Sequence, residues 1–403
     1  MGSPQTFSLR RIALPAFGPS LLFGVGEGAI LPIVPLTARD LGASVSAAAF
    51  VVTLIGVGSL VSNVPASLIT TRFGERRAMV GASLWAALAM LLCMYARDLV
   101  VFSLAILMIG MSAAVFNLAR LSWLAEAVPV PYRARALSTL GGVLRIGLFV
   151  GPFVAAAAIH AFGALAAYGV GVVVLVVGAF VARAAGDLPA HEGAGASRRT
   201  PLRLTQVLRE HRRVFATVGL GVVLIAAVRA SRQGIVPLWA EHIGLGAASV
   251  SLIYGLSNAV DMLVFYPAGR RMDLRGRRAV AVPSMMIMGS ALLAVPFTHS
   301  APTLLAAALL IGFGNGIGSG LVMTLGVDHA PAHARTQFLG VWRLLSDVGA
   351  TAGPLLLSVI AAAAPLAAAI ASIGGIAFAG AAAFSRWVPR AAPRAPGSPP
   401  PPS

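Results

Sequence analysis

The sequence predicts an all-α membrane protein of twelve transmembrane helices, arranged as two pseudo-symmetric halves of six. Three observations predict it. Of 403 residues, 58% are hydrophobic and 11% charged, with a mean hydropathy of +0.87, whereas soluble domains carry about a quarter charged residues. Apolar runs of about 20 residues, the length that crosses a roughly 30 Å hydrocarbon layer as a helix, recur twelve times. The chain also matches itself at one constant offset of 202 residues.

The runs fall near 12–36, 45–70, 78–96, 99–124, 136–160, 163–183, 214–238, 247–268, 279–299, 301–326, 338–362 and 365–386. The first follows Arg10 and Arg11 but is longer than the 7–15 apolar residues of a signal peptide, and no small-x-small site ends it. It reads as an uncleaved span. All 30 basic residues are Arg. Assigning alternate loops to opposite sides puts 23 Arg on one side, two (Arg39 and Arg97) on the other, and five (Arg120, Arg145, Arg229, Arg232 and Arg343) inside spans. The Arg-rich side is therefore expected to be cytoplasmic, with both termini inside the cell. Arg without Lys suggests a GC-rich bacterial genome, hence an inner (plasma) membrane. The expected organisation is an N-terminal half at 1–183, a cytoplasmic linker at 184–213, a C-terminal half at 214–387 and a disordered Pro-rich tail at 388–403. Within the linker, Leu204, Val207 and Leu208 share a helical face beside Arg203, Arg209, Arg212 and Arg213. Residues 201–213 thus read either as a helix on anionic headgroups or as a solvated linker.

Several function classes drop out. The net charge of +17 is scattered between apolar runs, a pattern that orients a membrane protein and does not build a nucleic-acid groove. The single cysteine, Cys93, excludes an intrachain disulfide, a Cys-rich zinc site and a Cys-ligated iron–sulfur cluster. No G-x-x-x-x-G-K-[ST] loop exists and Lys is absent, so no P-loop hydrolyses ATP. The seven His form no cluster: His160 and His299 sit at external span ends, and His329 and His333 flank a cytoplasmic loop. An enzyme is not expected, nor a cofactor or resident metal.

The offset pairs Ile33-Val34-Pro35-Leu36 with Ile235-Val236-Pro237-Leu238, Pro65-Ala66 with Pro267-Ala268, Gly74 with Gly276, Ile109-Gly110 with Ile311-Gly312, and Gly151-Pro152 with Gly353-Pro354. Six spans per repeat is an even number, so both halves enter the membrane in the same direction, related by an axis along its normal. The loop after span 8 reads Gly269-Arg-Arg-Met-Asp273-Leu-Arg-Gly276-Arg277-Arg278. Its counterpart after span 2 is Ser67-Leu-Ile-Thr-Thr71-Arg72-Phe-Gly74-Glu75-Arg76. On these residues the whole chain resembles a twelve-span member of the major facilitator superfamily, whose signature is G-x-x-x-D-R-x-G-R-R. Leu274 departs from it in the second copy, and Ser67, Thr71 and Glu75 depart in the first. The resemblance implies that these loops, through Arg72, Gly74, Arg76, Gly269, Asp273, Gly276, Arg277 and Arg278, gate the cytoplasmic side, with Asp273 the better latch because Thr71 replaces the family's Asp. A second motif, Gly147-Leu-Phe-Val-Gly151-Pro152 in span 5, repeats as Gly349-Ala-Thr-Ala-Gly353-Pro354 in span 11. Gly at this spacing lets helices approach closely and Pro bends them. In the family the span 5 copy accompanies drug:proton antiport. The Arg that such exporters carry in span 4 is Ile106 here. The Gly312, Gly314, Gly316, Gly318 and Gly320 series in span 10 reads as close packing or cavity shape.

Ionisable residues inside a membrane are costly and mark substrate or proton pathways. The repeat maps Glu27 onto Arg229 and Arg145 onto Asp347, inverting the charge each time. The expected pairs are Glu27 with Arg145 and Arg229 with Asp347, with Glu27 facing Arg229 or the substrate as the alternative. An Arg145–Asp261 bridge is a candidate gate, and a static cluster of Asp261, Arg343 and Asp347 its rival. A carboxyl in a low-dielectric cavity holds or releases a proton according to whether an Arg stands beside it, so Glu27, Asp261 and Asp347 are the proton-coupling candidates. Arg229, Arg232 and Gln233 share a face of span 7 suited to an anionic group and, with Glu27, are the substrate-cavity candidates. Glu126 and Asp328 are repeat equivalents expected to brace loop Arg, Arg76 or Arg133 and Arg278 or Arg335. The leading expectation is a monomeric, proton-coupled exporter of small amphipathic or drug-like molecules. Its alternatives are uptake of an organic anion and, more remotely, a membrane scaffold or receptor.

Overall fold

The computed structural model describes residues 13–128, 130–184, 204–331 and 334–389. Hydrocarbon offers no partner for backbone N–H and C=O groups, so each apolar run closes its hydrogen bonds within itself as a helix. Twelve helices are long and apolar enough to cross a membrane, one for each expected run. Span 1 runs Ala13–Ile30 and resumes as Val34–Asp40; spans 2 to 6 are Val45–Phe73, Glu75–Tyr95, Leu99–Ala127, Val130–Phe162 and Ala166–Ala184. Spans 7 to 9 are Val218–His242, Ala247–Arg275 and Arg278–Ala294. Span 10 is broken into Ala301–Ile317 and Leu321–His329, and spans 11 and 12 are Arg335–Ala363 and Leu366–Trp387.

Spans 2, 4, 5, 8 and 11 outrun their apolar stretches. At 29 to 33 residues they are about 44–50 Å long, longer than a roughly 30 Å hydrocarbon layer requires. On the Arg-poor face, starts are fixed by caps: Ser44 Oγ accepts from Ala47 N at 3.1 Å, Asp98 Oδ1 from Val101 N at 2.8 Å, and Ser300 forms a capping box with Thr303. The two signature loops turn at repeat-equivalent glycines, Gly74 (φ +80°) and Gly276 (φ +84°), in a region that a Cβ would strain.

Packing is dense within spans 1–6 and within spans 7–12, and it crosses between these groups where span 2 meets span 11 and span 5 meets span 8. The Gly-Pro motif builds two tight, repeat-related seams. A Cβ on Gly147 or Gly151 would strike the span 1 backbone at Leu21 or Val25, and one on Gly349 or Gly353 would strike Val223 or Ala227 of span 7. Where the linker is described, the short helices Leu204–Glu210 and Arg212–Ala216 dock on span 11, with Val207 buried and Phe215 stacked on Phe338 at 4.8 Å. The rest of the linker, and the tail from 390, lie outside the described residues, as does His333.

Candidate functional site

Charge from both groups of spans converges at the middle of the molecule. Asp261 of span 8 accepts from Arg232 Nη2 at 3.5 Å, from Asn315 Nδ2 at 2.6 Å and from Ser319 Oγ at 3.5 Å. Arg145, from span 5, donates Nη1 to the same Ser319 Oγ at 3.0 Å and lies over the Phe265 ring at 4.2 Å. Asn258 accepts from Arg232 at 3.2 Å and donates to the Leu148 carbonyl across the interface at 3.3 Å. Arg229 is within electrostatic range of Asp261, Arg145 and Arg232. Its Nε and Nη2 are shielded from solvent and have no hydrogen-bond partner among the described residues. Gln233 is half-buried beside it.

The span 10 break makes this arrangement possible. Helix geometry stops at Ile317 and resumes at Leu321, with Gly320 left-handed at φ +80°, and the interruption presents Ser319 to both Asp261 and Arg145. Gly316 seats the preceding helix against the Asp261 backbone, and Gly318 leaves room for the Arg229 guanidinium. The glycine series thus serves both packing and cavity shape.

In the first half, Glu27 has Arg120 of span 4 as its electrostatic partner. Arg120 rests 6.0 Å from the Phe116 ring centroid, and its Nε and Nη1 have no hydrogen-bond partner among the described residues. Arg343 is within range of Arg120 yet its side chain is 65% exposed, some 12 Å into span 11 from Arg335. A charged head at that depth belongs in a water-filled space, since lipid exposure is prohibitive.

Several expected pairs are corrected. Arg145 does not meet Glu27; it turns to spans 8 and 10, and it reaches Asp261 through Ser319 instead of directly. Asp347 does not meet Arg229 or Asp261; it binds Arg343 Nε at 3.1 Å and Asn63 Nδ2 of span 2 at 3.3 Å. Glu27 pairs with Arg120 and not with Arg229. The reason is helix rotation. Two residues along a helix is about 200° around it, so Gly147 and Gly349, which face spans 1 and 7, turn Arg145 and Asp347 away from those spans. That signal was present in the Gly motif. Arg120 was recognised as an intramembrane Arg but given no partner, because its repeat position holds Val322; Asn63, Asn258, Asn315 and Ser319 escaped sequence reasoning, since uncharged residues carry no mark in an apolar run.

The ends of the bundle hold further ionic contacts. On the Arg-poor face, Arg39 Nε of span 1 meets both Glu241 carboxylate oxygens of span 7 at 3.3 Å. The two residues are repeat equivalents, so the pair lies on the pseudo-twofold axis. Below it, Ser358 Oγ donates to the Ser46 carbonyl at 2.7 Å. On the Arg-rich face, Arg277 clasps Asp328 at 2.8 Å, Asp273 at 3.6 Å and the Met272 carbonyl at 3.2 Å. Asp328 therefore braces on Arg277, where Arg278 was one of the two residues expected, because the turn at Gly276 aims Arg277 inward. Arg278 opens span 9. Arg76 and Glu126 line a polar cavity of about 270 Å³ with Trp123. Arg72 is exposed beside Phe73, and Gly269 faces open space. The side chains of Arg133 and Arg335 lie outside the described ones.

No curated protein sequence matches this chain. Among solved structures it is similar to the nucleoside transporter NupG (TM-score 0.75, 11% identity, 93% of this chain and 98% of that one). It is also similar to a bacterial homolog of the human lysosomal transporter Spinster in an inward-facing, unoccupied conformation (0.72, 13%, 96% and 96%) and to a D-xylose–proton symporter (0.71, 14%, 95% and 98%). At these identities the likeness is one of fold. The profile of the Major Facilitator Superfamily matches residues 20–231 and again 218–403, one match for each repeat. The chain is a multi-pass membrane transporter that belongs to the major facilitator superfamily.

Proposed function

We propose that the chain is a proton-coupled secondary transporter working by alternating access, with Asp261 as the proton site. One observation carries this reading: a single carboxylate, Asp261, sits where three guanidinium groups from both sides of the interface converge, held by Arg232, Asn315 and Ser319. Adding or removing its proton changes the charge of that junction, and with it the cohesion of spans 5, 7, 8 and 10. The Arg-rich face is read as cytoplasmic in a plasma membrane, which makes the described state one closed outside at Arg39–Glu241 and open inside. Purified protein in liposomes with an imposed pH gradient provides the test. Gradient-driven accumulation of substrate should vanish in Asp261→Asn while exchange of substrate without a gradient persists. Accumulation that survives in Asp261→Asn overturns the assignment.

A second reading, export of amphipathic or drug-like compounds, is favoured by a lateral groove of about 480 Å³ between spans 2, 3 and 4, lined by Phe73, Trp85, Met111 and Arg77. Dye accumulation in an efflux-deficient bacterial host tests it: expression should lower accumulation, and a protonophore should restore it.

A further inference from the structure

We infer that the substrate is a small organic anion, bound through a carboxylate or phosphate group by Arg229 and Arg232 and taken up together with a proton. This names the substrate class of the site above and rests on the coupling role of Asp261. The central site is charge-imbalanced. Arg145, Arg229 and Arg232 surround Asp261, Arg120 is the electrostatic partner of Glu27, and Arg343 already has its own partner in Asp347. Four guanidinium groups thus share two carboxylates.

Desolvated, unpaired charge is among the most expensive features a protein interior can carry. The Nε and Nη2 atoms of Arg229 together make one edge of the guanidinium, the fork that matches a carboxylate or phosphate in a bidentate pair. That whole edge lacks a partner, and so do two nitrogens of Arg120. A cationic substrate would add to the imbalance. An anion removes it, and one lodged there meets donors from span 7 in one half and Arg120 of span 4 in the other, so its binding draws the two halves together. The span 10 break beside Arg229 places irregular backbone at mid-depth, where interrupted helices build binding sites in other transporters.

The direction of coupling follows from competition. Ionised Asp261 holds Arg232. The charged and titratable groups facing it are Arg232 and Arg229 from span 7, Arg145 from span 5 and Tyr254 from its own helix, with Asn315 and Ser319 from span 10. A proton on Asp261 releases Arg232 to the incoming anion, so anion and proton bind together, and the proton gradient drives entry from the Arg-poor face.

Binding to purified protein in detergent tests this by calorimetry, with benzoate, malate, phenyl phosphate and inorganic phosphate as anionic probes and tetraphenylphosphonium as the cationic one. At least one anion should bind and the cation should not, with carboxylate and phosphate probes separating the two head groups. Arg229→Gln and Arg232→Gln should each weaken the binding at least tenfold, and Arg229→Lys should recover part of it. Asp261→Asn should bind the anion more tightly than the unaltered protein at pH 8, by about threefold to tenfold. A correctly folded protein, judged by a single gel-filtration peak, that binds tetraphenylphosphonium or none of the anions overturns the inference. So does anion binding abolished by Asp261→Asn. Either result leaves the proton role of Asp261 standing if substrate accumulation in liposomes still depends on that carboxylate, so the two readings fail separately.

Discussion

Neutralising either member of the Arg39–Glu241 pair should unlatch the Arg-poor face by a small, calculable amount. At 3.3 Å two unit charges attract by about 1.3 kcal/mol in water and about 5 kcal/mol at an effective dielectric of 20. The net value is far lower. The side chains are 31% and 33% exposed, one Nε is shared between two carboxylate oxygens instead of a two-pronged fork, and the orphaned partner can be rehydrated. Pairs of this kind contribute roughly 0.2–1 kcal/mol, which shifts the closed-to-open ratio by about 1.4- to 5-fold. The readout is a buried residue just behind the pair. Val52 is 3% exposed and packs against Gly234 of span 7, so Val52→Cys in a Cys93→Ala background reports opening as its rate of labelling by a membrane-impermeant maleimide. Arg39→Gln and Glu241→Gln should each raise that rate by about 1.4- to 5-fold, and the double variant should add little more, because both remove the same contact. Unchanged or slower labelling in both single variants refutes the argument, as does a double variant whose effect is the sum of the two.

The seam made by Gly353 should be intolerant of any side chain: Gly353→Ala drives a methyl into the Ala227 carbonyl, costing about 1–3 kcal/mol, visible as a lower melting temperature in detergent, and a melting temperature equal to the parent's contradicts the packing assigned here. Arg277→Ala releases Asp328 and Asp273 together and should cost about 1.5–3 kcal/mol for the lost charge-assisted bond at 2.8 Å. Because that clasp ties the span 8–9 turn to the end of span 10, transport should slow while substrate affinity in detergent stays within twofold; an unchanged transport rate removes the loop from the gating cycle. Ser319→Ala takes away the hydroxyl that joins Arg145 to Asp261 and should shift the pH profile of transport, whereas Ser372→Ala, whose hydroxyl bonds only its own helix at 2.9 Å, should leave the profile in place.

Much of the architecture was legible because each piece answers to a local rule. A run of apolar residues long enough to cross a bilayer has one way to satisfy its backbone, so twelve runs became twelve spans, and the loop Arg count gave their alternation. The 202-residue offset is visible because each copy needs the same glycines at the same turns: Gly74 and Gly276 both take positive φ, and Gly151 and Gly353 both admit a neighbouring helix. The site was legible as a list of charges and misread as a list of pairs. Charge inversion between repeats suggested Glu27 with Arg145 and Arg229 with Asp347, but repeat symmetry constrains position along the chain and not the rotation of each helix.

What the sequence by itself determined was therefore the count, order and repeat of the spans, together with the identity of the intramembrane charges, since all of these depend on composition and spacing within single segments. Only the tertiary structure decided that Arg120 serves Glu27, that Ser319 stands between Arg145 and Asp261, and that Arg39 closes on its own repeat partner Glu241. Those contacts join spans that are distant in the chain, and they turn on helix rotation and on the break at Gly318 to Gly320. A charged side chain in low dielectric takes whichever partner the packed backbone brings within a few ångströms, and the packing of twelve helices sets that distance.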